Sequence, residues 1–357
     1  MIILKHEDYE KVNHLIKSQN ELSVFSVLNG ELPGKVMVNS EQHPDALFIE
    51  TGETKLLAGN ATHEDFNKKL SEMLDFWDSV TPDTDEWKEK IADIHPNRFI
   101  RDYTRYKYAL IKEDFVKADP SLPEGYILES VNLEELKHKN YSNVNRIYDW
   151  AEAWGSDERF AESGCGCYIR NEDCIVSWSL SDCCAGDRIA IGIHSDPKYR
   201  KMGFAKKVVS AVIQQCFEKG YNQIEWLCVS TNSGSKVIAE SLGFKLMNKY
   251  ISYSSFPPIE NLTDLDESGW YEWGIYLEKA SKEEPKLSFD SLYCFIKANA
   301  VEKTITLIKK LNSNGMDCNP QQLINDISSF QKEGLCSNFN TLIWQRFVDE
   351  LVSPQRP

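Results

Sequence analysis

The residues best suited to chemistry form one loop near the middle of the chain, between Ile191 and Lys207. An apolar strand ends there and a long amphipathic helix begins. The first amides of a helix have no partners within the helix, and the helix dipole places partial positive charge on them. Gly203 and the small Ala205 would let an anion approach those amides. The loop therefore predicts a diphosphate site at the start of the helix.

Cationic side chains surround this loop, although the protein as a whole is acidic. They are Arg200, Lys201, Lys206 and Lys207. A basic and solvated start of a surface helix is the alternative interpretation of the same residues.

The elements that would position the loop run from Tyr126 to about Pro258. The predicted order is strand, helical region, three strands, helix, strand, helix and strand, at Tyr126–Ser130, Leu133–Trp154, Gly166–Arg170, Cys174–Leu180, Arg188–His194, Gly203–Lys219, Gln223–Val229, Ser233–Leu242 and Lys245–Tyr253. Antiparallel strands followed by strand–helix–strand–helix indicate a mixed α/β (α+β) layout.

Two further units flank this region. Residues 1–118 are predicted as an α+β accessory domain with helices at Tyr9–Ile16 and Glu64–Val80 and strands at Lys35–Val38, Ala46–Glu50 and Thr54–Ala58. A linker rich in proline precedes the central domain, residues 119–258. Residues 259–357 are predicted as a linker and a helical C-terminal extension, with helical patterns at Phe289–Lys310, Pro320–Phe330 and Asn338–Leu351.

The composition narrows the classes of molecule that the protein is expected to bind. The 357 residues include 55 acidic and 40 basic ones, for a formal net charge of −15. Because nucleic-acid affinity depends on cations that neutralise phosphates, this balance argues against a nucleic-acid or anionic membrane partner and favours cationic partners such as amines. No apolar run reaches the ~18–20 residues of a membrane span, and the start is not that of a signal peptide, so we expect a cytoplasmic protein. The 10 cysteines show no zinc-site spacing, so we expect free thiols and no metal.

The sequence of this loop also resembles the signature of a known protein family. Arg200-Lys-Met-Gly-Phe-Ala205 matches the GNAT signature of Gln or Arg, two residues, Gly, one residue, and Gly or Ala. A second element, Asn232-Ser-Gly-Ser235, precedes a helix that ends in Gly243-Phe244. The chain thus resembles the GNAT superfamily of N-acetyltransferases over roughly residues 5–256. Cys174–Asp182 and Val27–Gly34 are similar to the GNAT group that includes zwittermicin A resistance proteins.

The resemblance implies the GNAT acyl-CoA N-acyltransferase fold, a mostly antiparallel mixed sheet flanked by helices. Residues 1–118 would be a degenerate GNAT-like or accessory domain that borders the substrate cleft. Acetyl-CoA would be the acyl donor, with its pantetheine arm between the fourth and fifth strands of the central domain. The implied contacts are Ile193, Ser195, Arg200, Lys201, Met202, Gly203, Phe204, Ala205, Lys206, Asn232 and Ser235.

The catalytic residues usual in the family are missing. Ala190 stands where relatives carry a glutamate base, and Ala239 where they carry a tyrosine acid. His194 is the preferred base, because an imidazole with an ordinary pKa of about 6.5 accepts a proton near neutral pH. The alternative bases are Asp187 and Glu225. Cys228, Tyr250, Tyr253 or solvent would replace the acid.

The resemblance predicts acetyl transfer to a primary amine of a small molecule, such as an amino sugar, a polyamine or an aminopolyol antibiotic. An acceptor site is expected among Tyr148, Asp149, Trp150, Glu152, Trp154, Trp178 and Asp182. Two alternatives stay open. The domain is a catalytically weak acyl-CoA-binding sensor or scaffold, with the C-terminal helices as partner surface, or it acetylates proteins. A homodimer is one arrangement left open.

Overall fold

The structure, a computed structural model, describes residues 1–17, 20–75, 77–97, 100–255, 265–316 and 318–332. The chain divides into two compact units, Met1–Glu260 and Asn261–Pro357. The helix predicted at Asn338–Leu351 lies outside the described residues.

The first sheet of the larger unit contains five strands, in chain order. They are β1 (Ile2–Ile3), β2 (Lys35–Val38), β3 (Ala46–Glu50), β4 (Lys55–Gly59) and β5 (Thr81–Pro82). All neighbours are antiparallel except β4 and β5. The central strand β3 is buried on both faces, because helices cover both sides of the sheet.

The helices of this part are α1 (Leu22–Leu28), α2 (Glu64–Met73) and α3 (Asp85–Ile94), with a 3-10 helix at His6–Leu15. The 3-10 helix replaces the α-helix predicted at Tyr9–Ile16. The helix predicted at Glu64–Val80 ends early, because the Asp78 carboxylate accepts a hydrogen bond from the Asp75 amide at 2.9 Å and the chain turns toward β5.

The second sheet has eight strands in the order β13-β6-β12-β10-β9-β8-β7, with β11 paired to β9. Only β10 and β12 are parallel. The strands are β6 (Arg101–Ile111), β7 (Tyr126–Ser130), β8 (Gly166–Asn171), β9 (Cys174–Ala185), β10 (Arg188–Ile191), β11 (His194–Ser195), β12 (Gln223–Val229) and β13 (Lys245–Ser254). The mixed, mostly antiparallel sheet of the predicted fold class is confirmed.

Strand β6 is the main departure from the predicted layout. It lies between β12 and β13, and Arg105 faces Val229 on one side and Tyr250 on the other. Its residues precede the boundary predicted between 118 and 119, so that boundary cuts the second sheet. The strand alternates charged and aromatic residues rather than apolar and polar ones. Its position depends on backbone hydrogen bonds to two neighbours, which that pattern does not reveal.

Five helices flank this sheet: α4 (Leu133–Leu136), α5 (Val144–Ala151), α6 (Asp157–Ser163), α7 (Phe204–Glu218) and α8 (Ser233–Ser241). The helical region predicted at Leu133–Trp154 is interrupted. Asn143 adopts a left-handed conformation with φ 69° and donates to the Ile175 carbonyl and to Asp196.

The smaller unit is helical, as predicted. Its described helices are α9 (Glu267–Ala280), α10 (Leu287–Lys297), α11 (Val301–Ser313) and α12 (Pro320–Lys332). The pattern predicted as one helix at Phe289–Lys310 is two helices. Asn299 has φ 57° and ends α10, and its neighbour Ala300 donates back to the Phe295 carbonyl.

A buried ion pair links the start of α1 to the second sheet. Lys107 on β6 is 5% exposed, and its ammonium lies 2.9 Å from Glu225 Oε2 on β12. The same ammonium donates to the Asn20 carbonyl at 2.8 Å. Arg188 adds a second cation, 3.2 Å from Glu225 Oε1. These contacts compensate a carboxylate that is 1% exposed.

We expect Lys107→Met to lower the free energy of unfolding by about 3–5 kcal/mol, because it leaves the buried Glu225 with one cation fewer. Urea denaturation measures this change. The control is Lys245→Met, whose exposed pair with Asp114 should contribute at most about 1 kcal/mol. The double variant Lys107→Met, Glu225→Gln should lose less than the sum of the two single changes. Equal losses for Lys107→Met and Lys245→Met would contradict the role of the pair.

Candidate functional site

The site begins where β10 separates from β12. The two strands pair in parallel only from Arg188 opposite Gln223 to Ala190 opposite Glu225. Between Ala190 and Ile191 the register of β10 with β9 shifts, and β11 then pairs with β9 rather than with β12. A gap therefore opens in the sheet beside the C-terminal half of β12. The resemblance implied such a gap between these strands.

Gly192 makes the divergence sterically possible. Its amide donates to the Leu180 carbonyl at 2.9 Å, and its carbonyl accepts from the Ser179 hydroxyl at 2.6 Å. A Cβ on Gly192 would lie 2.6 Å from Cζ2 of Trp150. The indole of Trp150 in turn donates to Asp182 Oδ1 at 2.5 Å. A glycine inside a predicted strand is the sequence signal for such a close approach.

The loop after β11 is built from local bonds. Asp196 accepts from the Lys198 amide at 2.9 Å and begins a 3-10 turn at Pro197–Tyr199. Arg200 Nε donates to the Ser195 carbonyl at 3.3 Å. The Ser195 hydroxyl lies 2.7 Å from the Ser177 hydroxyl. The loop therefore stays attached to β9 and β11 as it approaches the helix.

Helix α7 begins without a side-chain cap. Gly203 occupies the N-cap position with φ 79°, and no atom lies within 4 Å of the place of its missing Cβ. Lys201 also has a positive φ, 63°. The segment from Lys201 to Gly203 is exposed, whereas the side chain of Phe204 is buried against Tyr126. The first-turn amides thus border open space, which is the geometry that an anion needs.

The cationic residues divide into two groups. Arg200, Lys201 and Lys206 remain beside the exposed turn, each at least partly exposed. Lys207 turns away, because its ammonium donates to the Asp119 carbonyl at 2.7 Å.

The start of α8 brings Asn232 and Ser235 together. Asn232 Oδ1 accepts from the Ser235 amide at 3.0 Å and caps the helix. The Ser235 hydroxyl is buried and accepts from the Trp226 indole at 2.9 Å. Because the hydroxyl faces the core, the predicted contact between Ser235 and the cofactor would not come from its side chain.

Of the predicted bases, His194 lies on β11, just after the point where the strands diverge. It is half-buried on β11, and its ring packs 4.4 Å from the Trp178 ring. Glu225 is 1% exposed and pairs with both Lys107 and Arg188, so its carboxylate is committed to buried ion pairs, which argues against its role as a base. Asp187 is exposed at the far end of β10, where it accepts from the Asn222 side chain.

The predicted acids are poorly placed. Cys228 is 0% exposed. Tyr250 lies on β13, separated from β12 by β6, and donates to Glu21 Oε1 at 2.6 Å. Burial, with Glu21 nearby, raises the pKa of Tyr250 well above its usual value, and burial also raises the pKa of Tyr253. Both tyrosines therefore hold their protons more strongly, which argues against proton donation by Tyr250.

The residues predicted to bind the acetyl acceptor lie in different environments. Trp154 is buried and donates to the Ser181 carbonyl, and Tyr148 donates to the Leu133 carbonyl. Asp149 and Glu152 are exposed. Trp150 and Asp182 contact each other beside Gly192, at the edge of the gap. Trp178 is 3% exposed and packs against the ring of His194.

Sequence analysis missed charged residues that the N-terminal part contributes to the sheet. Glu21 lies 4.0 Å from Arg105 Nη1, and Glu53 interacts electrostatically with both. Glu53 retains solvent access, but the surrounding protein desolvates its carboxyl and raises its pKa. These residues are far apart in the chain, and no local pattern connects them.

Other expectations can be compared directly with the described residues. The nine cysteines in this part of the chain are free thiols. Within the same residues, no group of three potential metal ligands comes together. The helices described there are too short or too polar to cross a membrane.

Comparison with known proteins adds independent findings. The sequence model of the family described as GNAT acetyltransferase matches residues 13–253. The uncharacterized N-acetyltransferase YdfB of Bacillus subtilis is 26% identical over 243 residues, which cover 65% of this chain and 89% of that protein. A GCN5-related N-acetyltransferase-like protein from Streptococcus suis, 23% identical, aligns with a TM-score of 0.56 over 70% of this chain and 98% of that one.

The family match covers well over half of the chain. It includes the gap, the loop before α7 and most of the N-terminal part. The structural alignment shows the same fold. The chain therefore belongs to the GNAT acetyltransferase family and is an acetyltransferase.

Proposed function

We propose that this protein transfers an acetyl group from acetyl-CoA to a primary amine of a small hydroxylated molecule, in the cytoplasm. The observation that carries the proposal is the gap beside β12, which lies next to a helix whose exposed start has a glycine cap. Both features suit a thioester whose long pantetheine arm is joined to a diphosphate. The resemblance to the zwittermicin A resistance group supports an aminopolyol or amino sugar as acceptor.

The backbone of the loop would hold the diphosphate. Lys201 to Lys206 supply the amides, and Arg200 adds a charge-assisted contact. The gap would hold the pantetheine arm beside the backbone of Ile193 and Ser195, and Asn232 borders it from α8. Acetyl-CoA supplies the acetyl thioester. An amide near Ile193 would stabilise the negative charge that develops on its carbonyl oxygen.

We assign the base role to His194. The reacting amine must lose a proton before its nitrogen attacks the acetyl carbonyl, and the bond from carbon to sulfur then breaks. His194 lies on β11, two residues beyond Gly192, and this place just after the divergence supports its role. Asp182 borders the edge of the gap and could attract the incoming amine. The departing thiolate would take its proton from solvent, because Cys228 is buried and Tyr250 is bonded to Glu21.

We expect the double variant Arg200→Ala, Gly203→Glu to bind acetyl-CoA at least tenfold more weakly than the wild type, a change of about 1.4 kcal/mol. The new carboxylate would occupy the open space at the start of α7 and repel the diphosphate. Titration calorimetry measures the affinity.

The matched control is Gly220→Glu, at the other end of the same helix. Gly220 also has a positive φ, 102°, and also has open space around it. This variant should bind acetyl-CoA like the wild type. Equal weakening by both variants would assign the effect to helix strain, and a wild type that binds no CoA ester would refute the proposal.

His194→Gln should lower kcat by about 10²–10⁴-fold, the usual contribution of a general base. The wild type should lose activity at acidic pH, because a protonated imidazole cannot accept a proton, and the variant should lose that dependence. Steady-state kinetics with a panel of amines measures both effects. An unchanged kcat with an unchanged pH profile would exclude His194 as the base. Acetyl-CoA binding without turnover of any amine would favour the sensor function over the enzyme.

A further inference from the structure

A second pocket lies between the N-terminal sheet and β13. Its volume is about 200 Å³. Asn20 and Glu21 line it from the start of α1, Thr54 and Thr81 from the first sheet, and Tyr250 from the second sheet. Pockets for drug-sized ligands measure roughly 300–1,000 Å³, so this one suits a single small ring or a short chain.

Buried polar atoms in the pocket lack hydrogen bonds. Glu21 is 3% exposed; its Oε1 accepts from Tyr250, but its Oε2 has no hydrogen-bond partner among the described residues. Asn20, 8% exposed, likewise has an amide nitrogen without a partner in that part of the chain. Buried polar atoms are normally satisfied, so these point to a missing ligand or water. Glu21 Oε2 offers a ligand an acceptor, and the Asn20 side-chain amide offers it a donor.

Two carboxylates line the pocket, those of Glu21 and Asp83. The Asp83 carboxyl is buried; burial raises its pKa, and Lys17, 3.3 Å away, lowers it in part. Arg105 lies 4.0 Å from Glu21 on the Oε1 side, which leaves Oε2 to the pocket.

Two further lysines line the pocket, but their charges have other partners. The Lys88 ammonium lies 2.7 Å from Asp85, and the Lys249 ammonium lies 5.0 Å from the ring centroid of Tyr106. The lining thus holds two carboxylates and two lysines, and Glu21 Oε2 is the buried acceptor that is left for a positive group of a ligand.

Hydroxyl groups form one wall. The Thr54 and Thr81 hydroxyls lie 2.9 Å apart, and the Thr81 hydroxyl lies 2.7 Å from that of Ser252. A hydroxyl both donates and accepts, so this chain can exchange bonds with the hydroxyls of a ligand. The wall therefore suits a polyol more than a plain alkyl amine.

We propose that this pocket is a subsite for an amino sugar or aminopolyol, with Glu21 and Asp83 holding its ammonium and Thr54 and Thr81 facing its hydroxyls. This inference rests on the proposed function, because only that function makes the bound compound the acetyl acceptor. An amine must be uncharged to attack the thioester, whereas this pocket stabilises a charged one. The pocket thus holds a second amine that does not react.

The strand order supports this assignment. Tyr250 is opposite Arg105, which is opposite Val229 at the end of β12. At about 4.8 Å between strands, β13 lies roughly 10 Å from β12, and the gap follows on the other side of β12. An acceptor that occupies both places carries two amines at a similar separation.

The test is calorimetric titration of the full chain without acetyl-CoA, using glucosamine, glucose and cyclohexylamine. Glucosamine, which has both an ammonium and hydroxyls, should bind more tightly than the other two. Glu21→Gln should weaken glucosamine binding at least tenfold. The matched control Glu50→Gln, on β3 outside the pocket lining, should leave it unchanged. Thr54→Val should weaken glucosamine but not cyclohexylamine, which gives a second variant if Glu21→Gln does not fold.

A turnover experiment separates the subsite from the proposed function. With kanamycin A as an acceptor that carries several amines, Glu21→Gln should raise KM at least tenfold and leave kcat within twofold. Equal glucosamine binding by the wild type and Glu21→Gln, or glucose binding as tight as glucosamine binding, overturns the subsite. If glucosamine binds as expected but no amine is acetylated, the subsite stands and the proposed acetyl transfer fails. If kanamycin A is acetylated but its KM is unchanged in Glu21→Gln, the proposed acetyl transfer stands and the subsite fails.

Discussion

The separation of β10 from β12 is the constraint on which the rest of the site depends. A continuous parallel ladder would close the sheet and leave no path between the strands. The chain prevents this with a register shift after Ala190 and with Gly192, whose missing side chain admits Trp150. Asp182 holds the indole in place. β11 then pairs with β9, so the C-terminal half of β12 has no β10 partner, and the chain continues from β11 into the loop before α7.

A second constraint joins the N-terminal part to the sheet. Lys107 bonds both Glu225 in the sheet and the carbonyl of Asn20, just before α1. The beginning of α1 is thereby held over the face of β6 and β13. Glu21 then meets Tyr250 and Arg105, and the second pocket forms beside them. The accessory part thus contributes charge to the sheet rather than only covering it.

Local sequence patterns were sufficient for much of the fold. The strands Tyr126–Ser130 and Gln223–Val229 match their predicted bounds, and α7 begins one residue after its predicted start. Strand β6 was missed, because its alternating charged and aromatic side chains hide a central strand. The boundary predicted after residue 118 therefore leaves β6 outside the domain whose sheet it joins. Two predicted helices are interrupted where Asn143 and Asn299 adopt a left-handed conformation. The spacing of apolar residues does not indicate such a conformation.

The sequence by itself determined the loop. Gly203, its cationic neighbours and the amphipathic helix are contiguous, so their geometry follows from local backbone preference and the helix dipole. Only the tertiary structure decided which polar residues face that loop and which are buried. Cys228, Ser235 and Glu225 are polar in type but are committed to the core or to ion pairs. The partnership of Glu21 with Tyr250 joins residues more than two hundred positions apart, and such contacts depend on strand order and register across the whole sheet.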